Sequence, residues 1–505
     1  MPGVVPPAQG GRLDQPGRRR PGAVGGVAAQ AATSGRESSR REPGHQARPA
    51  AADNAASSPF TVGQDVEVAI EDAAQGGWCV ARPEGLPVMF VRHALPGERV
   101  IARVTEVTSK FARADAVSIL VSSQDRVDAP CPHARPDGCG GCDWQHASLP
   151  AQRTLKAAVI TQQLRRLAGI DREVTVEPLP GDTAGDTAVG PAPGLGWRTR
   201  VQFAVDREGV AGLRGHRSHR VIDIGDCLIA HQTIRDLDIP GDEWTGATTV
   251  EVAAGGADST ENFAVTVIEN GGRKQKSNPR ESKGRRNGGG RLPSAKRTLV
   301  EGKAYLAERA AGRLWQVSAD GFWQVHPAAA DALSEAVVEA LEPKPGDTVL
   351  DLYSGAGLFA GVVAPLVGPD GAVIGIESDS AAVKNARQNL SDYPWAKFQQ
   401  ADVAEAVSDE DLPPARLVIA DPPRAGLARE LVDFLTGASA GGGVTGGGAS
   451  GERPATRFAY VSCDPATLAR DLALLISGGW QLGNIRAFDA FPMTHHVECV
   501  ATLTR

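Results

Sequence analysis

The stretch Asp347-Thr-Val-Leu-Asp-Leu-Tyr-Ser-Gly-Ala-Gly-Leu358 decides the fold of the C-terminal part of this chain. Its first seven residues are mostly apolar and predict a β-strand, and the glycines that follow predict a tight turn. The next segment, Leu358 to Val367, predicts a helix. Gly355 and Gly357 would let the backbone approach a ligand closely, and the N-terminus of the helix would offer free N–H groups. This order of elements therefore predicts a ligand site at the turn.

Two further strands extend this site. Ala372-Val-Ile-Gly-Ile376 predicts a second strand that ends at Glu377, where a carboxylate can accept hydrogen bonds from both hydroxyls of a ribose. A third strand leads to Asp402, which is placed to meet an adenine amino group. The turn has the form Gly-x-Gly without the third glycine of a dinucleotide fingerprint. The pattern therefore favours S-adenosylmethionine (SAM) over NAD as the cofactor.

Strands and helices alternate from residue 321 to residue 505, which predicts an α/β fold with a doubly wound, Rossmann-like parallel sheet. Closely spaced β-type runs in residues 60–123 predict a small OB-like barrel. Residues 124–320 predict a central α+β domain with a helix over Leu149 to Ala168. Residues 1–59 lack periodicity and predict a disordered tail, and Thr436 to Gly451 predicts a flexible glycine-rich loop.

Composition limits the possible functions. The formal net charge is −7, so global charge does not indicate nucleic-acid binding. Two local basic segments could attract a phosphate backbone: residues 1–59, with eight arginines, and residues 271–297, with ten Lys or Arg. Runs of about 20 apolar residues are missing, which excludes a transmembrane helix. Seven cysteines, an odd number, argue against a disulfide framework and favour a reducing cytoplasm.

Four of the cysteines form a candidate metal site. Cys131, Cys139 and Cys142 have the spacing C-x7-C-x2-C, and Cys227 follows at a distance. Thiolates this close together usually hold a metal. Zinc bound by four cysteines is one alternative that this pattern leaves open.

The remaining candidates lie near the C-terminus. Tyr460-Val-Ser-Cys-Asp-Pro465 places Cys463 just after a predicted buried strand, and His495-His-Val-Glu-Cys499 presents Glu498. A thiolate and a base beside a methyl-donor pocket are the groups needed to methylate C5 of a pyrimidine. A structural role for Cys463 as a small buried residue at a strand end is the alternative.

Several motifs together resemble the bacterial RNA uridine-C5 methyltransferases, over roughly residues 60–505. They are Gly321-Phe-Trp-Gln-Val325, Leu350-Asp-Leu-Tyr-Ser-Gly-Ala-Gly357, Asp421-Pro-Pro-Arg-Ala-Gly426, Val461-Ser-Cys-Asp-Pro465 and His496-Val-Glu498. The barrel segment is similar to a TRAM domain, an RNA-binding module, through Gly76-Gly77, Val80-Ala-Arg82 and Ala94-Leu-Pro-Gly-Glu98.

The resemblance implies roles for individual residues. Cys463 would be the nucleophile and Glu498 the base that removes the C5 proton. SAM would contact Gln324, Tyr353, Glu377 and Asp421. Cys131, Cys139, Cys142 and Cys227 would hold a 4Fe–4S cluster, with zinc as the lesser alternative. The substrate would be RNA, most often 23S ribosomal RNA, and the enzyme would act as a monomer in the cytoplasm.

Other functions remain open at this stage. Transfer RNA could be the substrate, although the barrel and the cysteine cluster resemble the ribosomal RNA branch more. The chain could also be an RNA-binding protein with an inactive transferase domain. Asp421-Pro-Pro resembles a motif of amino-group methyltransferases, but Arg424 stands where that motif has an aromatic residue. DNA cytosine methylation is disfavoured because Ser462, rather than a proline, precedes Cys463.

Overall fold

The computed structural model describes residues 59–182, 192–256, 261–269, 295–408, 412–437 and 455–505. The predicted disordered tail, most of the basic insertion and most of the glycine-rich loop lie outside these residues. Everything described belongs to one compact unit, Ala56–Arg505. Within the described part of the chain, no helix is long and apolar enough to cross a membrane.

The first element is the predicted barrel, a six-stranded sheet in the order β1-β5-β6-β4-β3-β2. Buried and exposed residues alternate along its strands, as in the pattern of β5, and the buried set forms its own apolar cluster. Since every second side chain points inward, the barrel has a hydrophobic core of its own. The strands are β1 (Asp65–Ala69), β2 (Asp72–Ala74), β3 (Trp78–Ala81), β4 (Val88–Arg92), β5 (Arg99–Val107) and β6 (Phe111–Val121).

The central segment begins with the predicted helix. Ser148 caps it by accepting the Ala151 N–H, and a π-helical turn, Leu164–Ala168, ends it at Gly169. An antiparallel sheet follows in the order β10-β9-β8-β11-β12-β13, and then a hairpin. The elements are α1 (Leu149–Gln163), β7 (Val176–Glu177), β8 (Arg200–Val205), β9 (Ala211–Arg214), β10 (Val221–Ile222), α2 (Gln232–Asp236), a 3₁₀ turn (Ile239–Gly241), β11 (Thr249–Ala254), β12 (Phe263–Glu269), β13 (Lys296–Gly302), β14 (Tyr305–Ala310) and β15 (Arg313–Ser318).

The C-terminal part forms the predicted doubly wound α/β sheet, in the order β18-β17-β16-β19-β20-β22-β21-β7. The five strands from β18 to β20 are parallel, and β22 runs antiparallel to β20. The elements are α3 (Ala329–Leu341), β16 (Thr348–Leu352), α4 (Leu358–Val367), β17 (Ala372–Glu377), α5 (Ser380–Asn389), β18 (Ala396–Gln400), α6 (Val403–Ser408), β19 (Leu417–Ala420), α7 (Arg429–Thr436), β20 (Arg457–Ser462), α8 (Pro465–Ser477), β21 (Gln481–Phe488) and β22 (Glu498–Thr504).

Two apolar layers enclose this sheet. Val349 points to the layer that contains α3, α4 and α5, and its neighbour Leu350 points to the layer that contains α6, α7 and α8. The second layer also includes Ile160 and Leu164 of the segment that follows the barrel. β7 also pairs with β21 and completes the C-terminal sheet. α1 packs against that sheet through Ile160, so both elements belong with the C-terminal sheet, although they were predicted to lie in the central domain.

Candidate functional site

The order of strands reverses at β16, because the chain moves from β16 to β17 and β18 on one side and then to β19 on the other. Ligands bind at the carboxyl ends of strands at such a switch point. The register pairs Leu352 with both Ile376 and Ala420. The next residues, Tyr353, Glu377 and Asp421, are therefore brought into one row at this edge of the sheet, as the predicted cofactor site requires.

The glycine turn supports this row. Tyr353, Gly355 and Gly357 have φ values of 64°, 53° and 92°, a left-handed conformation that is easy for glycine and strained for tyrosine. Glu377 fixes the turn from the side, because its carboxylate accepts the Gly355 N–H at 3.0 Å and the Asp379 N–H at 2.8 Å. The turn is thus held open beside the carboxylate that was predicted to bind a ribose.

Two buried polar atoms below the turn have no hydrogen-bond partner among the described residues: Oδ1 of Asp351 and Oγ of Ser354. The other oxygen of Asp351 accepts the Ala360 N–H at 2.8 Å. Burial, together with the charges of Asp421 and Glu377, raises the pKa of Asp351 to about 7. Polar atoms without partners at this position fit a site that is completed by a polar ligand.

The other two predicted cofactor residues lie farther along the edge. Asp402 caps α6 by accepting the Ala404 N–H at 2.9 Å, which places its carboxylate just beyond β18. Gln324 is 7% exposed, in the segment that leads into α3. Two residues later, His326 Nδ1 accepts the Ala328 N–H, so that Nε2 donates to Asp182 at 2.9 Å. This buried pair fixes the segment that carries Gln324.

The antiparallel register of β20 and β22 brings the two predicted catalytic residues together. Ser462 pairs with Cys499, so Cys463 follows level with Glu498, which begins β22. Because β22 is antiparallel, its first residue lies at the edge where β19 and β20 end. Cys463 is half-buried and Glu498 is buried. Residues 35 positions apart in sequence thus meet beside the cofactor row.

Electrostatics couple this pair to two more side chains. Burial and the charge of Glu498 raise the pKa of Cys463 to about 12, and the Arg424 guanidinium acts in the opposite direction. Burial also raises the pKa of Glu498 well above its usual range, with Asp421 adding to the effect. Burial raises the pKa of Asp421 to about 7. Arg424 is therefore the positive charge that opposes protonation of both candidate catalytic groups.

Sequence reasoning missed the role of Arg424, which it used only to disfavour amino-group methylation. Arg424 Nη2 lies 3.2 Å from Nε2 of His496, so this side chain touches both catalytic segments. Gly426 holds the Arg424 loop close to α8, where a Cβ would lie 2.1 Å from Thr467. The buried carboxylate of Asp471 accepts both the Leu427 N–H at 2.9 Å and the Tyr460 hydroxyl at 2.7 Å. The loop is therefore fixed to the strand that carries Cys463.

The segment before Glu498 is held by residues far away in sequence. Asp143, next to Cys142, accepts the His495 N–H at 3.1 Å and lies 2.6 Å from its Nδ1. Gln152 of α1 accepts the Met493 N–H at 2.7 Å. Lys156, one turn later, forms a buried ion pair with Asp489 and donates to the Phe491 carbonyl at 3.0 Å. No sequence motif marked these three residues of the central segment.

The four predicted metal ligands, Cys131, Cys139, Cys142 and Cys227, line one cavity. Cys139 Sγ accepts the Gly141 N–H at 3.3 Å. The cavity volume is about 20 Å³, which holds one water-sized ion. Within the described residues, no three potential ligands are already arranged to hold a metal. The donor set fits a four-thiolate centre, which could hold either a zinc ion or an iron–sulfur cluster.

Comparisons with known proteins agree with this architecture. Residues 59–117 match the TRAM domain, and residues 343–416 match a methyltransferase domain. A Streptomyces avermitilis protein described as an uncharacterized RNA methyltransferase is 45% identical, over 88% of this chain and 98% of its own length. Similarly described proteins of Streptomyces coelicolor and Bifidobacterium longum are 44% and 33% identical, over 88% and 87% of this chain and 93% and 96% of their own lengths.

One solved structure has the same fold over most of the chain. It is the Pyrococcus abyssi tRNA (uracil-54, C5)-methyltransferase in complex with S-adenosyl-L-homocysteine, with a TM-score of 0.60 and 24% identity. The match covers 87% of this chain and 100% of that one.

Proposed function

We propose that this chain, which belongs to the RNA methyltransferase family, methylates C5 of a uridine in RNA with SAM as the methyl donor. The observation that carries the proposal is the register of β20 and β22, which pairs Ser462 with Cys499 and so brings Cys463, the next residue, level with Glu498. Amino-group methylation needs no cysteine, and it leaves this pairing unexplained. An inactive transferase domain would have no reason to keep Arg424 beside both groups.

The proposed reaction begins at C6, because C5 of uracil becomes nucleophilic only after a nucleophile has added there. The Cys463 thiolate forms an S–C6 bond, and the electrons of the C5=C6 double bond move toward the C4 oxygen to give an enolate. C5 then takes the methyl group of SAM, whose sulfur leaves with the electron pair of the broken bond. Glu498 removes the C5 proton, the C5=C6 bond re-forms, and the C6–S bond breaks to restore the thiolate.

The cofactor residues are proposed from the geometry of the edge and from the resemblance of their motifs. Gly355 and Gly357 form the turn. Glu377 accepts hydrogen bonds from the ribose hydroxyls, and Asp402 accepts one from the adenine amino group. Tyr353 and Asp421 lie in one row at this edge. Together with the buried Ser354 and Asp351 oxygens, which have no partner among the described residues, this row supports a polar ligand here. Gln324 completes the proposed set.

We propose 23S ribosomal RNA as the substrate. The chain combines a TRAM barrel with a four-cysteine site, and this combination resembles the ribosomal RNA branch of the family. Transfer RNA is the second candidate, because the Pyrococcus abyssi protein of the same fold is a tRNA (uracil-54, C5)-methyltransferase. In either RNA the target must leave its stack, since C5 and C6 of a stacked base are not open to attack from both faces.

For the four cysteines we propose a 4Fe–4S cluster that braces the loop carrying Asp143, without a part in the reaction. The convergence of all four side chains on one cavity supports a metal centre, and the small volume of that cavity makes zinc the second candidate. Purification under nitrogen followed by iron, sulfide and zinc analysis separates the two. Cys227→Ser should lose the metal, whereas Cys79→Ser, in the barrel, should keep it.

Covalent trapping tests the proposed reaction. RNA that contains 5-fluorouridine should form a denaturation-resistant complex with the wild-type chain and SAM, because Glu498 cannot remove fluorine from C5. Cys463→Ala should abolish the complex. Cys79→Ala is the matched control, since this buried cysteine lies in the barrel and donates to the Ala94 carbonyl.

Each outcome has a distinct meaning. A complex with ribosomal RNA supports the proposal as stated, and a complex with transfer RNA alone replaces the substrate while keeping the chemistry. If SAM binds but neither RNA is trapped, the cysteine mechanism is wrong.

A further inference from the structure

The loop between β9 and β10 is the most basic segment among the described residues outside the catalytic site. Its sequence, Arg214-Gly-His-Arg-Ser-His-Arg220, has three arginines, two histidines and no acid. Arg214, Arg217 and Arg220 are all exposed. The chain as a whole has a net charge of −7, so this loop is a local positive region on a negatively charged protein. The two basic segments predicted to attract a phosphate backbone, residues 1–59 and 271–297, lie mostly outside the described residues.

This basic loop forms one wall of a cavity of about 530 Å³, and Gly140 and Gly141 of the cysteine loop form the other. The two loops are fixed to each other, since the Gly140 N–H donates to the Arg214 carbonyl at 3.0 Å. A side chain on Gly140 would lie 2.6 Å from the His216 backbone. The absence of a side chain at Gly140 therefore allows the two loops to pack closely and fixes the walls of the cavity relative to each other.

The three arginines of the basic loop differ in their contacts, and Arg220 donates to the Asp137 carbonyl. The Arg214 side chain makes no hydrogen bond or ion pair within the described part of the chain. Arg217 lies 3.1 Å from Glu106, with both side chains about half exposed, and such pairs contribute little. Glu106 also has a shorter contact with Arg113, at 2.6 Å. Arg214 and Arg217 are thus available to an anion in solution.

Aromatic groups extend this surface onto the barrel. The His216 ring packs edge-on against Trp78 at 5.6 Å. The Arg113 guanidinium lies 5.5 Å from the Trp78 ring and 4.9 Å from the Phe111 ring. Both aromatic side chains are half-buried, so part of each ring remains accessible. Arginines beside partly exposed aromatic rings are the combination by which proteins bind single-stranded nucleic acid.

The surface also lies next to the catalytic segment. Gly77, just before Trp78, packs so closely on Asp143 that a Cβ would lie 2.7 Å from its Cγ. Asp143 in turn binds His495, which is three residues before Glu498. A chain that runs across the basic loop and Trp78 would therefore approach the catalytic edge directly.

We propose that the basic loop 214–220, with Trp78 and Arg113 of the barrel, binds the sugar–phosphate backbone of the RNA strand next to the target uridine. The inference rests on the proposed function, and it adds the part of the molecule that holds the substrate. Arg214 and Arg217 contact phosphates, and Trp78 offers a face for a base. The contacts are independent of base sequence and position the strand without choosing the uridine.

The test measures RNA binding by the full-length chain against salt. The probe is a fluorescein-labelled, 20-nucleotide single-stranded RNA that contains uridines, with S-adenosylhomocysteine present to prevent turnover. Each phosphate contact contributes about 0.7 to the slope of log K against log salt for single strands, so Arg214→Gln with Arg217→Gln should reduce the slope by about 1.4. Affinity at low salt should fall by roughly tenfold or more.

The matched control replaces two exposed arginines on other elements, Arg166→Gln with Arg309→Gln, which removes the same charge. It should leave the slope and affinity within error of the wild type. Equal losses in the test and control variants would show a general charge effect, and no loss in the test variant would place the strand elsewhere; either result overturns the inference while the proposed function stands. If the wild-type chain itself binds no RNA, the proposed function fails as well. Circular dichroism of both variants checks folding.

Discussion

Replacing Lys156 by methionine should destabilise the protein far more than its one ion pair contributes. Lys156 and Asp489 are both fully buried. One oxygen of Asp489 has no hydrogen-bond partner among the described residues, and Arg153 stands 4.0 Å from it. Burial lowers the pKa of Lys156 in spite of the neighbouring carboxylate, so desolvation outweighs attraction at this lysine. Breaking the pair would remove the ammonium in contact with the buried Asp489 carboxylate and leave it facing Arg153 at 4.0 Å.

The expected loss for Lys156→Met is about 3–5 kcal/mol in the free energy of unfolding. The double variant Lys156→Met with Asp489→Leu removes both charges at similar volume, and it should lose less than the single variant by about 2 kcal/mol or more. Urea unfolding at pH 7 measures both. Lys397→Met, an exposed lysine on β18, is the control and should stay within about 0.5 kcal/mol of the wild type.

If Lys156→Met unfolds like the wild type, or if the double variant is as unstable as the single one, the reasoning about the buried ion pair is refuted.

Three further predictions concern the site. Arg424→Gln should lower the methylation rate by about ten- to a hundredfold, the equivalent of one charged hydrogen bond; because Arg424 lowers the pKa of Cys463, the rise of rate with pH should also move to higher pH, which a pH–rate profile would show. Asp351→Asn should make the free energy of unfolding less dependent on pH between about 4 and 7. Burial raises the pKa of Asp351 to about 7, so the wild type should lose up to roughly 4 kcal/mol of stability as the pH rises through this window. Urea midpoints at pH 4.5 and 8, measured for both proteins, test this. Gln75→Ala should lower kcat several-fold with little change in KM for SAM, because Gln75 donates at 2.9 Å to Asp464, the residue after the proposed nucleophile; an unchanged kcat would mean that the barrel does not position Cys463.

The local elements were predictable because each is encoded by residues adjacent in sequence. The helix Leu358–Val367 and the strand ending at Glu377 form where the apolar runs and glycines placed them. The α/β fold and the barrel were confirmed for the same reason. The roles of Cys463 and Glu498 remain predictions, although the register of β20 and β22 makes them neighbours. The domain boundary at residue 320 also remains a prediction.

The sequence by itself determined the strands, the turns, the cofactor motif and the identity of the candidate catalytic and metal-binding side chains, since these depend on periodicity and on short spacings. Only the tertiary structure decided what surrounds them. Asp143 and His495 are 352 residues apart, and Lys156 and Asp489 are 333 apart. No local pattern encodes such pairs, because they form only when separate elements pack together. The same packing brings the basic loop 214–220 against Trp78 and makes a surface from two domains.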